Sequence, residues 1–485
     1  MYGLEDFYFH VAPVLPELVL ALFGLMILLY GVMTGDRGTN KVTLVTVGAF
    51  AVVALVISGM PSTPQTGFFG SYVHDSFAQF MKLLVLLGGA SCLAMTLSYN
   101  TAEKVHRFEF PILILFSTLG MMFIISAGDL MLTYVGLELM SLPIYVLVSF
   151  RRDHIQSSEA GIKYFVLGAL ASGLILYGIS MIYGFSGTVN FARLAETLAL
   201  QDGLSIALAF GLIMLLCGIA FKLSAVPFHM WTPDVYQGAP TSVTAFLAIA
   251  PKVAVLALLA RFLFTGFGEM LQYWQDVLWI LSAASMIIGA FAAIPQTNIK
   301  RLMAYSTIGH IGYALVGMTA GSFDGVRSMI IYIAIYMIMN IGAFAIILML
   351  RKNERQTSDI ESLSGLGKTH PGMAFAMAVL MFSMAGIPPL AGFFGKLFVF
   401  QAAVAANLYG LAILGVLTSV VATYYYLRII KVMYFDEPEH ALDKPTRDLE
   451  IISGLSVVFV IGFILFPGII VNAAQAATES LLMFG

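Results

Sequence analysis

Charged side chains are scarce in this sequence. Asp, Glu, Lys and Arg make up 11% of the 485 residues, whereas 60% of the residues are hydrophobic and the mean hydropathy is +0.92. A soluble globule of this length needs far more polar side chains to cover its surface. The composition therefore excludes a soluble domain and indicates an integral membrane protein.

Cysteine and basic tracts are also lacking. The two cysteines, Cys92 and Cys217, lie in apolar runs without a CxxC neighbour, which argues against a disulfide framework or a zinc site. The net charge is only −3 and no basic tract is present, so nothing points to nucleic acid. The first basic residue, Arg37, follows the first apolar run, which is therefore expected to be a retained span and not a cleaved signal peptide.

Signatures of redox or nucleotide chemistry are absent from the sequence. Haem binding between helices needs paired buried histidines, and His310 is the only histidine well inside an apolar run. The segment SGLGKTH resembles a phosphate loop, but Ser362 occupies the position of the first glycine. We expect this chain to bind no cofactor or metal itself and to carry protons or cations.

Long apolar runs separated by short polar segments predict an all-α polytopic membrane protein, because a helix of about 20 apolar residues crosses a bilayer. We expect residues 1–485 to form one membrane domain. Fourteen runs qualify as spans, near residues 12–33, 42–60, 76–98, 111–127, 130–150, 161–183, 204–225, 240–265, 273–294, 302–320, 328–350, 373–400, 407–430 and 452–473.

The distribution of basic residues supports this count and predicts the orientation. The termini and the segments after even-numbered spans carry only Arg193, Arg261 and Arg327. Segments after odd-numbered spans carry 16 basic residues: Arg37, Lys41, Lys104, Arg107, Arg151, Arg152, Lys300, Arg301, Arg351, Lys352, Arg355, Lys368, Arg428, Lys431, Lys444 and Arg447. Basic residues concentrate on the inner side of a membrane, so both termini are expected on the outer side.

Several ionisable residues lie within the predicted spans. Glu138 is the one acid near the middle of a span, and five lysines lie within spans: Lys82, Lys163, Lys222, Lys252 and Lys396. A lysine at mid-bilayer costs roughly 3 kcal/mol, so it is kept only where it is hydrated, paired or neutral. The central positions of Glu138 and Lys252 favour a role in proton transfer.

The other ionisable residues allow simpler interpretations. Lys82 lies close to a span end and is expected to extend to the lipid headgroups. For Lys163 both this interpretation and a functional one stay open. His310 is either a satisfied core histidine or a polar relay.

Prolines interrupt two spans beside a lysine. Pro227 follows Lys222 in the seventh span, and Pro388 and Pro389 precede Lys396 in the twelfth. Proline removes a backbone donor, and broken helices at membrane depth mark transport paths. Spans 7 and 12 are five apart, as are spans 5 and 10, which contain Glu138 and His310. Two spans separated by an odd number cross the membrane in opposite directions. The sequence predicts inverted five-helix repeats at 111–265 and 273–430, with spans 1–3 peripheral and 452–473 last.

Three segments carry a family resemblance. Residues 221–254 read FKLSAVPFHMWTPDVYQGAPTSVTAFLAIAPKVA, and NIKRLMAYSTIGHIGYALVG and AGIPPLAGFFGKLFVF follow further on. These segments resemble the antiporter-like membrane subunits of respiratory complex I and of multisubunit cation/proton antiporters, and the likeness covers nearly the whole chain. It is nearest to the complex I type that lacks a long lateral helix after span 14 and does not have glutamate at the position of Lys396.

The resemblance implies a function and residue roles. Quinone reduction elsewhere in the complex would drive proton translocation by this chain. Glu138 and Lys222 would form the charged pair of one half-channel, modulated by Lys163. Lys252 would be the central relay, Lys396 the group of the second half-channel, and His310 a bridging residue.

The resemblance also implies partners and a location. FMN, iron–sulfur clusters and quinone would be held by partner subunits, and a second antiporter-like subunit and a small subunit would flank the chain in a bacterial cell membrane. A subunit of a sodium/proton antiporter or of a membrane-bound hydrogenase is the main alternative. A scaffold that binds lipid headgroups is a third, against which the central charges of Lys252 and Glu138 argue.

Overall fold

The computed structural model describes residues 10–103, 105–200, 203–353, 355–438 and 442–483, and this part of the chain is almost entirely helical, as predicted. Lys104, used above to predict orientation, lies outside the described residues. The helices of the first half are α1 Leu15–Thr34, α2 Thr39–Gly59, α3 Ser76–Ala102, α4 Glu109–Ile125, α5 Leu130–Val148, α6 Ile155–Ser186, α7 Phe191–Ala199, α8 Ile206–Leu223, α9 Thr232–Gly238 and α10 Thr241–Arg261.

The second half continues in the same manner. Its helices are α11 Leu271–Ala293, α12 Ile299–Thr319, α13 Phe323–Met349, α14 Leu366–Thr369, α15 Pro371–Ala385, α16 Ala391–Ala405, α17 Tyr409–Phe435, α18 Arg447–Gly462 and α19 Gly468–Leu482. The described residues also form two small antiparallel hairpins, β1 Gln65–Gly67 with β2 Tyr72–His74 and β3 Arg351–Lys352 with β4 Arg355–Gln356.

Every predicted span corresponds to helix in the structure. Among the described residues, nine stretches are long and apolar enough to cross a membrane, and the first, Ala12–Gly59, contains both α1 and α2. The shorter apolar helices are α4, α15 and α16. The predicted breaks in spans 7 and 12 are confirmed, because α8 ends at Leu223 before α9, and α15 ends at Ala385 before α16.

The last predicted span differs from the structure. We expected one helix over 452–473, but α18 ends at Gly462 and α19 begins at Gly468, directly after Pro467. Proline has no backbone N–H and disfavours helical geometry in the residue before it, so it separates the two helices. The apolar composition on both sides of Pro467 concealed this boundary.

Two helices form the centre of the bundle. Every residue of α10 is buried, as are nearly all residues of α13. Outer helices expose apolar side chains instead, such as Leu29 of α1, Leu170 of α6 and Val420 of α17, which suits contact with lipid. Lys252 lies in α10 and is therefore placed at the centre of the molecule, away from the lipid.

Candidate functional site

The first broken helix exposes backbone carbonyls, and side chains bind them. Ser224 follows α8 in the left-handed region, with a φ of 66°. The carbonyl of Lys222 accepts a hydrogen bond from Lys252 Nζ at 3.1 Å, and the carbonyl of Phe221 accepts one from the Trp231 indole at 3.0 Å. The carbonyls released by the break are thus satisfied by protein groups, as buried polar groups at this depth require.

Lys252 is fully buried and bonded to the break itself. Besides the carbonyl of Lys222, its ammonium donates to Ser224 Oγ at 2.6 Å and lies 5.1 Å from the centre of the Trp231 ring. No carboxylate contacts it among the described residues. Its partners are therefore uncharged groups and an aromatic face, which stabilise a cation without neutralising it.

Lys222 and Glu138 lie on facing helices. Lys222 Nζ donates to Ser141 Oγ at 2.9 Å and to the Tyr145 hydroxyl at 3.2 Å, and both residues belong to α5, the helix of Glu138. The carboxylate of Glu138 accepts a hydrogen bond from Ser172 of α6. Ser141 is one helical turn from Glu138, so the two predicted partners are neighbours that bind different hydroxyl groups.

The second broken helix repeats the carbonyl arrangement. Gly386 follows α15 with a φ of 89°, a conformation that glycine adopts without strain. Lys396 of α16 turns back towards this break, and its ammonium donates to the carbonyl of Ala385 at 2.8 Å and to Ser419 Oγ at 2.7 Å. It also lies 4.8 Å from the centre of the Tyr313 ring. Lys396 and Lys252 thus have the same three kinds of partner.

His310 lies among tyrosines near Lys396. Its Nδ1 is 2.6 Å from the Tyr332 hydroxyl, and its Nε2 is 3.1 Å from the Tyr426 hydroxyl. The Tyr426 hydroxyl also lies within hydrogen-bonding distance of Ser306 Oγ, at 2.6 Å. A cavity of about 10 Å³ touches His310, Tyr313, Tyr426 and Lys396, close to the roughly 10–15 Å³ that one water needs. His310 is thus a satisfied core histidine and also part of a polar cluster.

These tyrosines were missed in the sequence. Tyr332, Tyr336, Tyr425 and Tyr426 lie in apolar helices, where tyrosine looks like any core aromatic. Each of α13 and α17 carries two of these buried tyrosines, and a buried tyrosine hydroxyl requires a polar partner. The number of tyrosines in these two apolar segments was therefore the available sign of a polar cluster.

Lys163 lies at the face that the charge distribution predicts to be inner. Its side chain is 41% exposed and pairs with Glu159 at 2.7 Å and with Asp234 at 2.9 Å. Asp234 also binds Arg301 of α12 at 2.6 Å. The structure therefore brings Lys163 together with Glu159, Asp234 and Arg301 in one ion-paired group.

A further group of buried charges joins α1, α3 and α10. Lys82 Nζ lies 2.6 Å from Glu17 Oε1 and donates to the Tyr72 hydroxyl at 2.6 Å. Arg261 donates to both carboxylate oxygens of Asp75, at 2.9 and 2.8 Å. The expectation that Lys82 extends to lipid headgroups is wrong, because Glu17 supplies a counter-charge inside the protein and both side chains are fully buried. Arg261, counted above with the outer segments, is also buried.

A histidine completes this group at the hairpin. Burial and the nearby Lys82 lower the pKa of His74 to about 4, so its imidazole is neutral near pH 7. The opposite charges of Lys82, Arg261, Glu17 and Asp75 then balance. Removing one member of such a balanced, fully buried set would leave an unpaired buried charge, so these side chains depend on one another.

The chain is similar to known proteins over nearly its whole length. Residues 127–422 match the family described as NADH:quinone oxidoreductase/Mrp antiporter, TM. The chain is 52% identical over 476 residues to NADH-quinone oxidoreductase subunit N of Rhodospirillum rubrum, covering 97% of both chains. It is 50% identical over 471 residues to subunit N 1 of Rhizobium meliloti, covering 96% of this chain and 97% of the relative.

Solved structures share the fold. A chain of respiratory complex I from Thermus thermophilus with bound aureothin superposes with a TM-score of 0.82 at 32% identity, over 95% of this chain and 99% of that one. A chain of the Mrp complex from Dietzia sp. superposes with a TM-score of 0.85 at 23% identity, over 97% and 98%. The second similarity concerns the fold alone. The named relatives are subunit N chains that are 50–52% identical to this chain over nearly the whole length of both. This chain therefore belongs to the NADH-quinone oxidoreductase subunit N family of antiporter-like membrane proteins.

Proposed function

We propose that this chain translocates protons as an antiporter-like membrane subunit of NADH-quinone oxidoreductase, driven by quinone reduction in neighbouring subunits. The observation that carries the proposal is the series of buried lysines at two broken helices. Lys252 and Lys396 are each bonded to one carbonyl and one hydroxyl, and Lys222 is bonded to two hydroxyls. Such a lysine gains or loses a proton without leaving a carboxylate unpaired.

The proposed roles follow the order of these contacts. Lys222 and Glu138 act together in one half-channel, with Lys163 modulating them from the predicted inner face. Lys252 is the central relay, since it binds the backbone of Lys222. Lys396 serves the second half-channel, with His310 and its tyrosines bridging towards it.

Coupling between these groups is electrostatic in this proposal. A change in charge at Glu138 and Lys222 alters the free energy of protonating Lys252, and Lys252 in turn acts on Lys396. Charges interact over longer distances in a buried, low-dielectric region than in water. The two predicted inverted repeats, 111–265 and 273–430, are the units that would contain the two half-channels.

Redox cofactors are assigned to other subunits. We propose that FMN, iron–sulfur clusters and quinone lie in the partner subunits, and that this chain contacts a second antiporter-like subunit and a small membrane subunit on opposite sides. The multi-pass chain would lie in the bacterial cell membrane with both termini on the outer side.

Replacing Lys222 with alanine tests the function. In inverted membrane vesicles containing the assembled complex, Lys222→Ala is expected to lower NADH-driven proton uptake and quinone reductase activity together by about tenfold, since a proton-transfer group is lost. Lys431→Ala, at a lysine that is 62% exposed and pairs with Asp436, is the matched control and should behave as wild type. Normal proton uptake by Lys222→Ala would refute the proposed role.

Co-purification separates this function from an independent antiporter. If the chain is a complex I subunit, flavin and iron–sulfur proteins should remain bound to it after mild detergent extraction. Sodium/proton exchange by the isolated chain in liposomes, without a redox partner, would support the antiporter alternative instead.

A further inference from the structure

The short helix α9 is bound on one side by the first turn of α12. Lys300 Nζ donates to the carbonyl of Ala239 at 2.8 Å. Arg301 donates to Asp234 Oδ1 at 2.6 Å and to Gln237 Oε1 at 3.1 Å. Two hydrogen bonds to α9, and a third to the residue directly after it, therefore attach this segment to a helix of the second predicted repeat.

On its other side, the carboxylate of Asp234 binds α6, which belongs to the same predicted repeat as α9. Asp234 Oδ2 accepts a hydrogen bond from Lys163 of α6 at 2.9 Å. Asp234 lies between the predicted spans, where burial alone would raise its pKa, but the hydrogen bonds from Lys163 and Arg301 outweigh burial and lower it below the ordinary value. Asp234 is thus a shared counter-ion between two cations from different halves of the molecule.

The segment that carries Asp234 also contacts the central lysine. Trp231 immediately precedes α9 and is 1% exposed. Its ring stacks on Tyr164, the neighbour of Lys163, with ring centres 4.4 Å apart, and it also contacts the Phe221 ring at 5.5 Å and Lys252 Nζ at 5.1 Å from its centre. One turn of chain therefore separates the group that binds the surface cations from the group that contacts Lys252.

The position of α9 depends on these contacts. A helix of seven residues is too short to be stable without tertiary interactions. Without the charge of Asp234, Lys163 and Arg301 lose the counter-ion they share and repel each other. The helix α9 would then lose two of the contacts that fix its position, and with it Trp231 would be held less firmly against Lys252.

We propose that Asp234 is a positioning residue for proton transfer at Lys252: its ion pairs with Lys163 and Arg301 fix α9 between α6 and α12 and hold Trp231 against the central lysine. This inference rests on the proton-translocating function proposed above. It assigns a role to a surface carboxylate that does not itself lie among the buried lysines.

The test uses the assembled complex in inverted vesicles, with rates normalised to the amount of assembled complex. Asp234→Asn is expected to lower NADH-driven proton uptake about two- to fivefold, the range expected for losing partly exposed ion pairs. Asp234→Glu, which keeps the charge, should recover most of the loss. Glu159→Gln is the matched control, because Glu159 binds Lys163 but not α9, and it should pump as wild type does.

A double-mutant cycle with Trp231 distinguishes positioning from a general loss of stability. If Asp234 acts through Trp231, then Asp234→Asn should cause no additional loss in a Trp231→Phe background. Losses that multiply independently would overturn the inference, as would wild-type pumping by Asp234→Asn. Should Asp234→Asn fail to assemble, Arg301→Gln removes one of the two ion pairs and carries the same expected drop and the same cycle.

The Lys222→Ala variant separates this inference from the proposed function. If Lys222→Ala loses pumping while Asp234→Asn does not, only the role of Asp234 is refuted. If Lys222→Ala pumps normally, the proposed function itself fails.

Discussion

At the scale of single residues, the sequence revealed the lysines but not their partners. Lysine within an apolar run is conspicuous, so Lys222, Lys252 and Lys396 could be selected before the structure was known. The groups that bind them are carbonyls, hydroxyls and aromatic rings, which are common in any helix. Their roles in binding lysine depend on which helices meet, and a single sequence does not contain that information.

Substituting Lys252 with arginine separates charge from proton exchange. Arginine keeps the positive charge but does not release its proton under physiological conditions. We therefore expect Lys252→Arg to lose NADH-driven proton uptake as completely as Lys252→Met, by about tenfold or more. Both variants should be compared at equal amounts of assembled complex. Wild-type proton uptake by Lys252→Arg would mean that charge alone suffices at this position.

At the scale of elements, prolines predicted the broken helices and apolar runs predicted the rest. The breaks after Lys222 and before Lys396 follow from local chemistry, because proline lacks a backbone donor. The boundary at Pro467 obeys the same rule, but neither side of it carries a charge that would have drawn attention. The Lys82–Glu17 contact was missed because the two residues are far apart in sequence and each lies near a span end.

The packing of α1 on α3 is expected to tolerate the loss of both Lys82 and Glu17 but not of one alone. Glu17→Met leaves the lysine buried without its counter-charge, and breaking such a pair costs about 3–5 kcal/mol. The variant should give less assembled complex and a lower melting temperature in detergent. The double variant Glu17→Met with Lys82→Met replaces both charges with apolar groups of similar length and should recover most of the stability. A double variant as unstable as the single one would contradict this account.

At the scale of the whole molecule, three charged residues that the span count assigns to the same membrane face are in contact in the structure. Lys163, Asp234 and Arg301 lie at or next to the ends of spans 6, 7 and 10 that the count assigns to one face, and in the structure they form one ion-paired group. The inverted repeats and the direction of insertion were inferred from offsets and basic residues, and they stay predictions.

Cysteine labelling tests the direction of insertion. Thr63→Cys, in an exposed segment after span 2, should react with a membrane-impermeant maleimide in intact spheroplasts. Lys368→Cys, at a side chain that is 57% exposed, should react only in inverted vesicles. The native Cys92 is buried and Cys217 half-buried, so the unsubstituted chain provides the background signal. The reverse labelling pattern would reverse the assigned orientation.

The carbonyl ligands at the two breaks determine which groups there can change their charge. A carboxylate that faces a lysine can exchange its own proton, and then the pair as a whole titrates. The carbonyls of Lys222 and Ala385 have a fixed dipole and never change protonation state. The field that these carbonyls exert on Lys252 and Lys396 is therefore constant, and in the proposed mechanism a change in the protonation of either lysine is felt only by other ionisable groups. Each such site can take up or release only one proton, the one on its lysine.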